Sequence, residues 1–388
     1  MSKYRGGPKP WDKPDDQGRS LDTRQFPELN ATFYTARPAD LINMRINMLS
    51  LVACSDEVLA SAFASERRIG DVFIPGGDLP SADDRDRYLQ MEAMMIVHHA
   101  SEALLRLFFA HVDHPECPWI SMSASTNFNE FKDRVGAELK AGFNPEQIAT
   151  VFLGGSDPND AAIEVTQEEF NQSVEGVDRL LWDCALRILQ DAFLYNGVKH
   201  GLTAIALSDK SSKMTWTVGE KNIVIHRGAL HAFLHRLRFP TAKKNEKQWF
   251  FSIADANPQR DVAVTRYIAA AIGSLWAVAR RRYMGAPGSI LCFSKDSVEV
   301  AIYLPIEQSL NAMKRMTSEL AKLKSDGEVD GIEIDFEGYN IPDKWEMSEE
   351  TPQKSRRVQL PVRQQDKKIY SMSNRSYLPF SPKGFQSG

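Results

Sequence analysis

The segment from Thr166 to Gly201 constrains the fold of this chain most strongly, because it is typical of one long helix. Thr166 and Glu169 form a capping-box pattern, in which each side chain accepts a hydrogen bond from a free backbone N–H at the helix start. Gly201 suits the left-handed residue that ends a helix, and Gly176 offers a possible bend. A helix of about 35 residues can span a domain. Its apolar stripe consists of Leu180, Leu181, Cys184, Ile188, Ala192 and Tyr195.

The residues before this helix predict further antiparallel helices around the same core. Ser81 and Asp84 resemble a second capping box, at the start of a helix that reaches about His111. A helix from Pro38 to Arg68 should precede it, followed by a loop over residues 69–80. Shorter helices should begin at Asn127 and Asn144. The first helix has an apolar stripe that should face the core: Leu41, Met44, Met48, Leu51 and Val52.

Beyond residue 202 the pattern changes to short β-branched and aromatic runs, which predict strands. Two hairpins are indicated, and a helix over residues 260–284 should lie between them. A further helix should follow Pro305. The predicted fold class is therefore α+β, with an N-terminal antiparallel helical bundle followed by a small mixed α/β domain. The strands are predicted at residues 203–207, 214–218, 223–226 and 249–253, with the second hairpin over 289–293 and 298–303.

The length of 388 residues is enough for two domains with extensions. The boundaries are indicated by changes in composition, because both ends are rich in charge, proline and glycine and lack apolar periodicity. The C-terminal extension is acidic in its first half and basic in its second. We expect a disordered arm at 1–37, the helical domain at 38–202, the α/β domain at 203–325 and a disordered tail at 326–388.

The composition excludes several classes of protein. With 43% hydrophobic and 25% charged residues, the chain as a whole is neither fibrous nor disordered. It has no run of about 18 uncharged apolar residues and no apolar stretch at its start, which predicts a cytoplasmic protein without a membrane segment. Its net charge of −4 gives no general attraction to nucleic acid. Its widely spaced cysteines are expected to be free thiols: Cys54, Cys117, Cys184 and Cys292.

The end of the long helix contains the most informative polar group. Asn196, Lys199 and His200 lie three and four residues apart, so they share one face of the final turn. A helix C-terminus favours the charged form of an imidazole, which would poise His200 for proton transfer or for contact with phosphate. The alternative is a polar cap, in which Lys199 and His200 bond only to the last carbonyl oxygens.

A long last helix that ends in Asn-x-x-Lys-His-Gly, after several antiparallel helices, resembles the HEPN superfamily of small helical bundles over residues 38–202. The resemblance implies a homodimer built through these helices. It also implies a metal-independent endoribonuclease, whose active members have four to six residues between an arginine and the motif histidine. This chain has Phe193, Leu194 and Tyr195 at the positions where that arginine would lie, and Arg187 is about 20 Å from His200 along the helix.

A polar stripe on the helix that begins near Ser81 could supply the missing charge. His98, Glu102 and Arg106 recur every four residues on one face of an otherwise apolar helix. If this stripe faces His200, Arg106 brings a guanidinium to the terminal turn. The alternative is a structural ion pair between Glu102 and Arg106 at the edge of the bundle.

Other polar groups give weaker indications. His111, His114 and Cys117 have a spacing that zinc could use, although an ordinary surface turn explains them as well. His231 and His235 are expected to be half-exposed helix residues, and residues 153–156 a turn. Basic residues could form a face for RNA, or could belong to a solvated helix end: Arg227, His231, Arg236, Arg238 and Arg280 to Arg282.

The sequence thus leaves two main hypotheses open. In the first, the protein binds or cleaves RNA, in a bacterial defence or toxin-like role, with His200 as acid/base, Lys199 and Arg106 contacting phosphate and Asn196 orienting the substrate. Glu102 supports Arg106. In the second, it is a non-catalytic dimeric interaction module that binds a protein partner through its charged tail. No cofactor and no metal ion is expected, and metal-dependent hydrolysis at His111 is a distant third possibility.

Overall fold

The structure, a computed structural model, describes residues 23–124, 128–199, 203–207, 213–218, 221–227, 229–237, 248–304 and 354–368. It confirms the α+β class, because a mostly helical chain carries small antiparallel sheets. The helices are α1 (Phe26–Phe33), α2 (Pro38–Val52), α3 (Asp56–Ala64), α4 (Ala82–Asp113), α5 (Pro118–Ser123), α6 (Phe128–Ala141), α7 (Pro145–Ile148), α8 (Pro158–Ala161), α9 (Gln167–Gln190), α10 (Ala192–Lys199), α11 (Pro258–Met284), α12 (described over 295–304) and α13 (Gln364–Lys368).

The strands pair in four antiparallel groups within the described residues. β6 is the central strand of the three-stranded sheet, between β3 and β7. The other groups are the pairs β1–β2, β4–β5 and β8–β9. The strands are β1 (Arg67–Ile69), β2 (Val72–Ile74), β3 (Ala204–Leu207), β4 (Lys213–Val218), β5 (Lys221–Arg227), β6 (Leu230–Leu237), β7 (Gln248–Asp255), β8 (Gly288–Cys292) and β9 (Arg356–Leu360).

Local hydrogen bonds set the ends of the long helices as the sequence predicts. The hydroxyl oxygen of Ser81 accepts from the backbone N–H of Asp84 at 3.1 Å. Thr166 and Glu169 form the full capping box that begins α9. The side chain of Asn257 accepts from a backbone N–H in the first turn of α11. These caps satisfy N–H groups that have no partner within the helix.

The predicted long last helix is broken into two helices. α9 ends at Gln190, Asp191 leaves helical geometry, and α10 begins at Ala192. Gly176 does not bend α9, because it lies inside the continuous helix. Instead, a Cβ atom there would lie 3.2 Å from the Cβ atom of Phe293, so the glycine permits close packing.

α11 is the central helix of the core. It packs against α2, α4 and α9 and against β8. Its buried side chains belong to one hydrophobic cluster with those of α4 and α9, for example Ile268, Leu104 and Leu180. The predicted boundary at residue 203 therefore does not separate two cores in the part of the chain that the structure describes. The reason is that a helix from the second half fills the groove between helices of the first.

The first segment of the predicted disordered arm packs on this core. Residues 23–25 form a 3₁₀ turn and α1 follows it. Tyr34 is fully buried and stacks on Tyr283 of α11, with 5.1 Å between the ring centroids. The indole N–H of Trp276 donates to the carbonyl oxygen of Ala36 at 2.7 Å. These aromatic contacts hold residues 23–37 in place, so the prediction of disorder is wrong for them.

α2 presents the opposite face to the one predicted. The core contacts come from Ile46 and Leu49, whereas four residues of the predicted core stripe are exposed and the fifth, Val52, is half-buried. The helix ends at Val52 and does not reach Arg68. Both faces of α2 are apolar, so periodicity alone could not identify the buried one. Exposed fractions are 68% for Leu41, 58% for Met44, 55% for Met48 and 49% for Leu51.

Two strand predictions are corrected. The predicted loop at 69–80 begins with β1 and β2, which pair. Residues 298–303, predicted as a strand of the second hairpin, belong to helix α12. β8 pairs instead with β9. A short apolar run fits either a strand or a helix, and Val298 and Ile302 lie one helical turn apart on the buried side of α12.

Part of the predicted disordered tail is likewise folded. Val358 and Leu360 of β9 are buried against the apolar side chain of Ile290 in β8. The prediction of disorder is therefore wrong for residues 354–368, because alternate side chains of β9 complete a small hydrophobic cluster. The helix predicted after Pro305 and the acidic part of the tail lie outside the described residues.

By length and composition, α11 is apolar enough to cross a membrane, and the bent pair of Phe26–Val52 and Asp56–Ala64 passes the same test only if it is counted as one span. In the most apolar window of α11, 61% of the residues are buried within the fold. Its position in the centre of the core explains this apolar composition.

Candidate functional site

The last turn of α10 carries two of the predicted site residues at the surface. Asn196 and Lys199 are both exposed, and their three-residue spacing places them on the same face of the helix. His200 lies outside the described residues. Tyr195, which precedes Asn196, is 3% exposed and forms the floor beneath this turn. The ammonium group of Lys199 lies 5.3 Å from the centroid of the Tyr195 ring.

Two histidines of α4 hold Tyr195 in place. The ring of His98 stacks on it at a centroid distance of 3.8 Å and an interplanar angle of 17°. The ring of His99 meets it edge-on at 5.3 Å. Burial, then the charges of His99 and Arg187, lower the pKa of His98 to about 3. His98 is therefore neutral near pH 7 and serves as an aromatic wall, not as a proton donor.

A polar network from α2 borders the same turn. Arg45 donates to Glu92 at 2.7 Å and its second terminal nitrogen lies 3.2 Å from Nδ1 of His99. Because the guanidinium can only donate, Nδ1 of His99 acts as the acceptor in this contact. Burial, and then Arg45, lower the pKa of His99. The turn thus has one exposed ammonium group, Lys199, beside a neutral imidazole.

The residues of the predicted stripe on α4 contact two different helices, α10 and α6. His98 meets α10, whereas Arg106 lies two turns further along, about 12 Å at the rise of an α-helix. Arg106 donates to Glu102 at 2.8 Å, and its guanidinium carbon lies 4.1 Å from the ring centroid of Phe131 in α6. Arg106 and Glu102 thus form an ion pair at the edge of the bundle, and the role of Arg106 in phosphate contact stays a prediction.

The proposed zinc ligands do not form a metal site. Nδ1 of His111 lies 2.7 Å from the carbonyl oxygen of Leu107, so it must donate, and Nε2 then accepts from the hydroxyl of Tyr34 at 2.8 Å. Both ring nitrogens are therefore occupied. Cys117 is buried, and His114 faces Glu116 at the surface. Among the described residues, no group of three or more His, Cys, Asp or Glu side chains is arranged to hold a metal ion.

The structure also corrects two residues of the proposed basic faces, Arg281 and His231. Arg281 is fully buried and donates to the carbonyl oxygens of Ala161 at 2.6 Å and Gly154 at 2.8 Å. It therefore belongs to the interior and not to a solvated helix end. Gly154, within the predicted turn at 153–156, ends the helical segment Ala149–Leu153 with φ of 89°, and a Cβ atom there would lie 2.3 Å from Nη2 of Arg281. His231 lies on strand β6, not on a helix, and is 2% exposed.

Sequence reasoning missed a cavity of about 370 Å³ that lies between α9, α11, α12 and the β6–β7 pair. Its polar wall is an ion network. Arg187 donates from Nε to Asp183 at 2.8 Å and from Nη1 to Asp261 at 2.9 Å, and Arg260 donates to Asp183 at 3.0 Å. The sequence signal was the i, i+4 pair of Asp183 and Arg187 within the apolar stripe of α9.

The charges of this network support one another. Despite burial, Arg187 and Arg260 lower the pKa of Asp183. Despite burial, Asp183 and Asp261 raise the pKa of Arg187. Asp183 and Arg187 therefore stay charged inside the protein, which is tolerated only because they are paired with each other and with their neighbours Arg260 and Asp261.

No family model, curated protein or solved structure matches this chain. The resemblance to the HEPN superfamily therefore stays a prediction.

Proposed function

We propose that this protein binds RNA at the last turn of α10 and that His200 supports its cleavage. The observation that carries the proposal is the exposure of Asn196 and Lys199 together, on a turn whose floor, Tyr195, is fixed by ring contacts with α4. A fixed turn presents its donors at little entropic cost. An ammonium group is a usual contact for phosphate, and an amide can orient a sugar or phosphate oxygen.

The charge near the turn predicts how tightly RNA is bound. Arg45 is paired with Glu92, and Arg106 with Glu102, so Lys199 supplies most of the uncompensated positive charge there. Because this turn can neutralise only a few phosphates, we expect RNA to bind weakly and its affinity to change little with salt concentration. In cleavage, His200 acts as acid/base and Asn196 orients the scissile phosphate.

Binding is tested with labelled single-stranded and hairpin RNA in EDTA. Lys199→Ala should weaken binding several-fold and reduce the slope of log Kd against log salt by about 0.7, the value for one phosphate contact on a single strand. Lys140→Ala is the matched control, because Lys140 is an exposed lysine in the last turn of α6. Equal effects of the two substitutions would contradict binding at α10.

Cleavage is tested separately with His200→Ala in the same buffer. Loss of cleavage with unchanged binding assigns His200 to the chemical step. Cleavage that survives the substitution unchanged removes His200 from the mechanism. Binding without any cleavage leaves an RNA-binding protein and rejects the enzymatic part of the proposal.

A second candidate function is that of a dimeric interaction module. The stripe of Leu41, Met44, Met48 and Leu51 follows one face of α2 over about 15 Å and is exposed along its length. Contiguous exposed apolar surface of this kind marks an interaction site, and a second copy of the chain could cover it by packing α2 on α2. The resemblance to HEPN bundles also implies a homodimer.

The dimer is tested by light scattering after size exclusion. Leu41→Glu combined with Met48→Glu should convert a dimer into a folded monomer, because two carboxylates cannot be buried unpaired. Val58→Glu is the control, since Val58 is 60% exposed on α3, away from the stripe. A wild-type protein that stays monomeric at 100 μM would reject this candidate.

Two arginines in the basic half of the charged tail have partners within the fold. Arg356 forms two hydrogen bonds to Glu169, and Arg363 bonds to Asp366 and to the carbonyl oxygen of Gly154. Partner capture through the tail would therefore depend on its other charged residues.

A further inference from the structure

The cavity beside α9 is lined by polar atoms that have no hydrogen-bond partner among the described residues. Its apolar wall includes Leu186, Leu194 and Ile253, and its volume of about 370 Å³ lies in the range of small-molecule sites. Buried polar groups in proteins almost always have hydrogen-bond partners. Exceptions that line a cavity therefore point to a ligand.

One nitrogen of Arg187, Nη2, takes no part in the ion network. Its Nε and Nη1 atoms donate to Asp183 and Asp261, whereas Nη2 is buried and has no hydrogen-bond partner among the described residues. The side chain is 7% exposed and lines the cavity. Nη2 can thus donate to an oxygen atom of a bound molecule.

His231 is a second unsatisfied group in the cavity wall. It is 2% exposed, and neither ring nitrogen has a partner within the described part of the chain. Burial lowers its pKa, although the charge of Asp261 opposes this effect. His231 is therefore neutral and can donate one hydrogen bond and accept another.

Asp191 is the third group, at the break between α9 and α10. It is partly buried and lines the cavity, and its carboxylate forms no hydrogen bond or ion pair with the described residues. Burial raises its pKa to about 6, against the lowering effects of Arg187 and Arg260. The nearby guanidinium groups therefore do not offset the burial of this carboxylate, and a cationic group of a ligand beside it would be favourable.

The balance of charge indicates which ligand fits. Among the described residues, the cavity wall has three carboxyl groups, Asp183, Asp191 and Asp261, and two guanidinium groups, Arg187 and Arg260, which gives a formal excess of one negative charge. A dianion such as a phosphate ester would increase this excess. A ligand with a cationic donor for Asp191 and an acceptor oxygen for Arg187 matches both unsatisfied groups.

We propose that this cavity binds a small zwitterion of the amino-acid class. Asp191 holds the ammonium group, Nη2 of Arg187 and the ring of His231 hold the carboxylate, and the apolar wall contacts the side chain. This site is separate from the exposed turn at Asn196 and Lys199, so it can be present whether or not the protein binds RNA.

The proposal is tested by calorimetric titration of the full chain with each of the twenty standard amino acids. We expect at least one to bind. For the strongest binder, the matching primary amine without the carboxylate and the matching acid without the amino group should each bind at least tenfold more weakly. Adenosine monophosphate, which is a dianion, should not compete with the amino acid for the cavity. A cavity that holds only water binds none of the twenty, and this result overturns the proposal.

Asp191→Asn provides the test by substitution. It removes the charge and keeps the shape, and it should weaken binding of the strongest amino acid at least tenfold while leaving affinity for its deaminated acid unchanged. Asp178→Asn is the matched control, because Asp178 in α9 is also a partly buried aspartate but does not line the cavity. Equal binding by the two variants, or an amine and an acid that bind as tightly as the amino acid, overturns the assignment.

Discussion

The buried guanidinium of Arg281 lies against the carboxylate of Asp366, with 3.6 Å between Nε and Oδ2. Both side chains are almost completely buried. Burial is the largest influence on Arg281 and lowers its pKa to about 10, whereas Asp366 raises it. A residue near the end of the chain thus compensates a charge in the central helix.

Asp366→Ala should lower the free energy of unfolding by about 3 kcal/mol, because it leaves a buried guanidinium without its counter-ion. Urea unfolding followed by circular dichroism measures this change. Asp78→Ala is the control, since Asp78 is exposed in the loop before α4 and should change stability by less than about 0.5 kcal/mol. A similar stability for the two variants would show that Arg281 does not depend on the tail.

The stability of the protein should fall as the pH drops from about 6.5 to 4. Burial lowers the pKa of His111 to about 4, although its hydrogen bond to Leu107 opposes this effect. Between these pH values the unfolded state binds a proton that the folded state does not. The neutral His111 therefore contributes on the order of 3 kcal/mol to the free energy of unfolding above pH 6.5, and this contribution is lost as the pH falls to 4. His111→Gln should flatten the dependence of the urea midpoint on pH in this range. An unchanged slope would show that His111 takes up its proton in the folded protein.

Asp191→Asn should stabilise the protein at pH 7, although we expect it to weaken ligand binding. The folded pKa of about 6 lies above the usual value, so the group is a neutral carboxylic acid below about pH 4. Its ionisation increasingly destabilises the folded state between about pH 4 and pH 6. Removing that charge should add roughly 1–2 kcal/mol at pH 7 after allowance for partial exposure, and nothing at pH 3.5. Urea unfolding at both pH values checks this difference. Loss of stability at pH 7 would contradict it.

One cysteine should react readily in the folded protein. Cys54 is partly exposed, whereas Cys117, Cys184 and Cys292 are buried. Burial raises the pKa of Cys184 to about 12, so its reactive thiolate is scarce as well as inaccessible. Titration with a chromogenic disulfide should show one fast thiol in native protein and four in urea. Cys54→Ser should abolish the fast phase, and a fast phase that persists would reveal local opening at another thiol.

Several elements could be predicted from the sequence because the interactions that define them are local. The starts of α4, α9 and α11 depend on side chains within three residues of each other, and the stripe of α9 through Cys184 depends on helical period alone. The same locality made it predictable that Asn196 and Lys199 share one face of their helix. The break at Asp191 could not be predicted, since no glycine or proline marks it.

The candidate cavity could not be predicted because its walls come from distant segments. Arg187 and Asp261 are separated by 74 residues, and His231 was assigned to a helix by its four-residue spacing from His235. Neither an ion pair between distant helices nor the central position of a strand leaves a local pattern.

The sequence by itself determined the fold class, the capped helix ends and the apolar stripe of α9, because hydrogen bonds and periodicity within a few residues specify them. Only the tertiary structure decided which face of α2 is buried, that β9 pairs with β8, and that Asp183, Arg187 and Asp261 meet beside Asp191. Those outcomes depend on the free energy of packing between segments far apart in the chain, which no local pattern records.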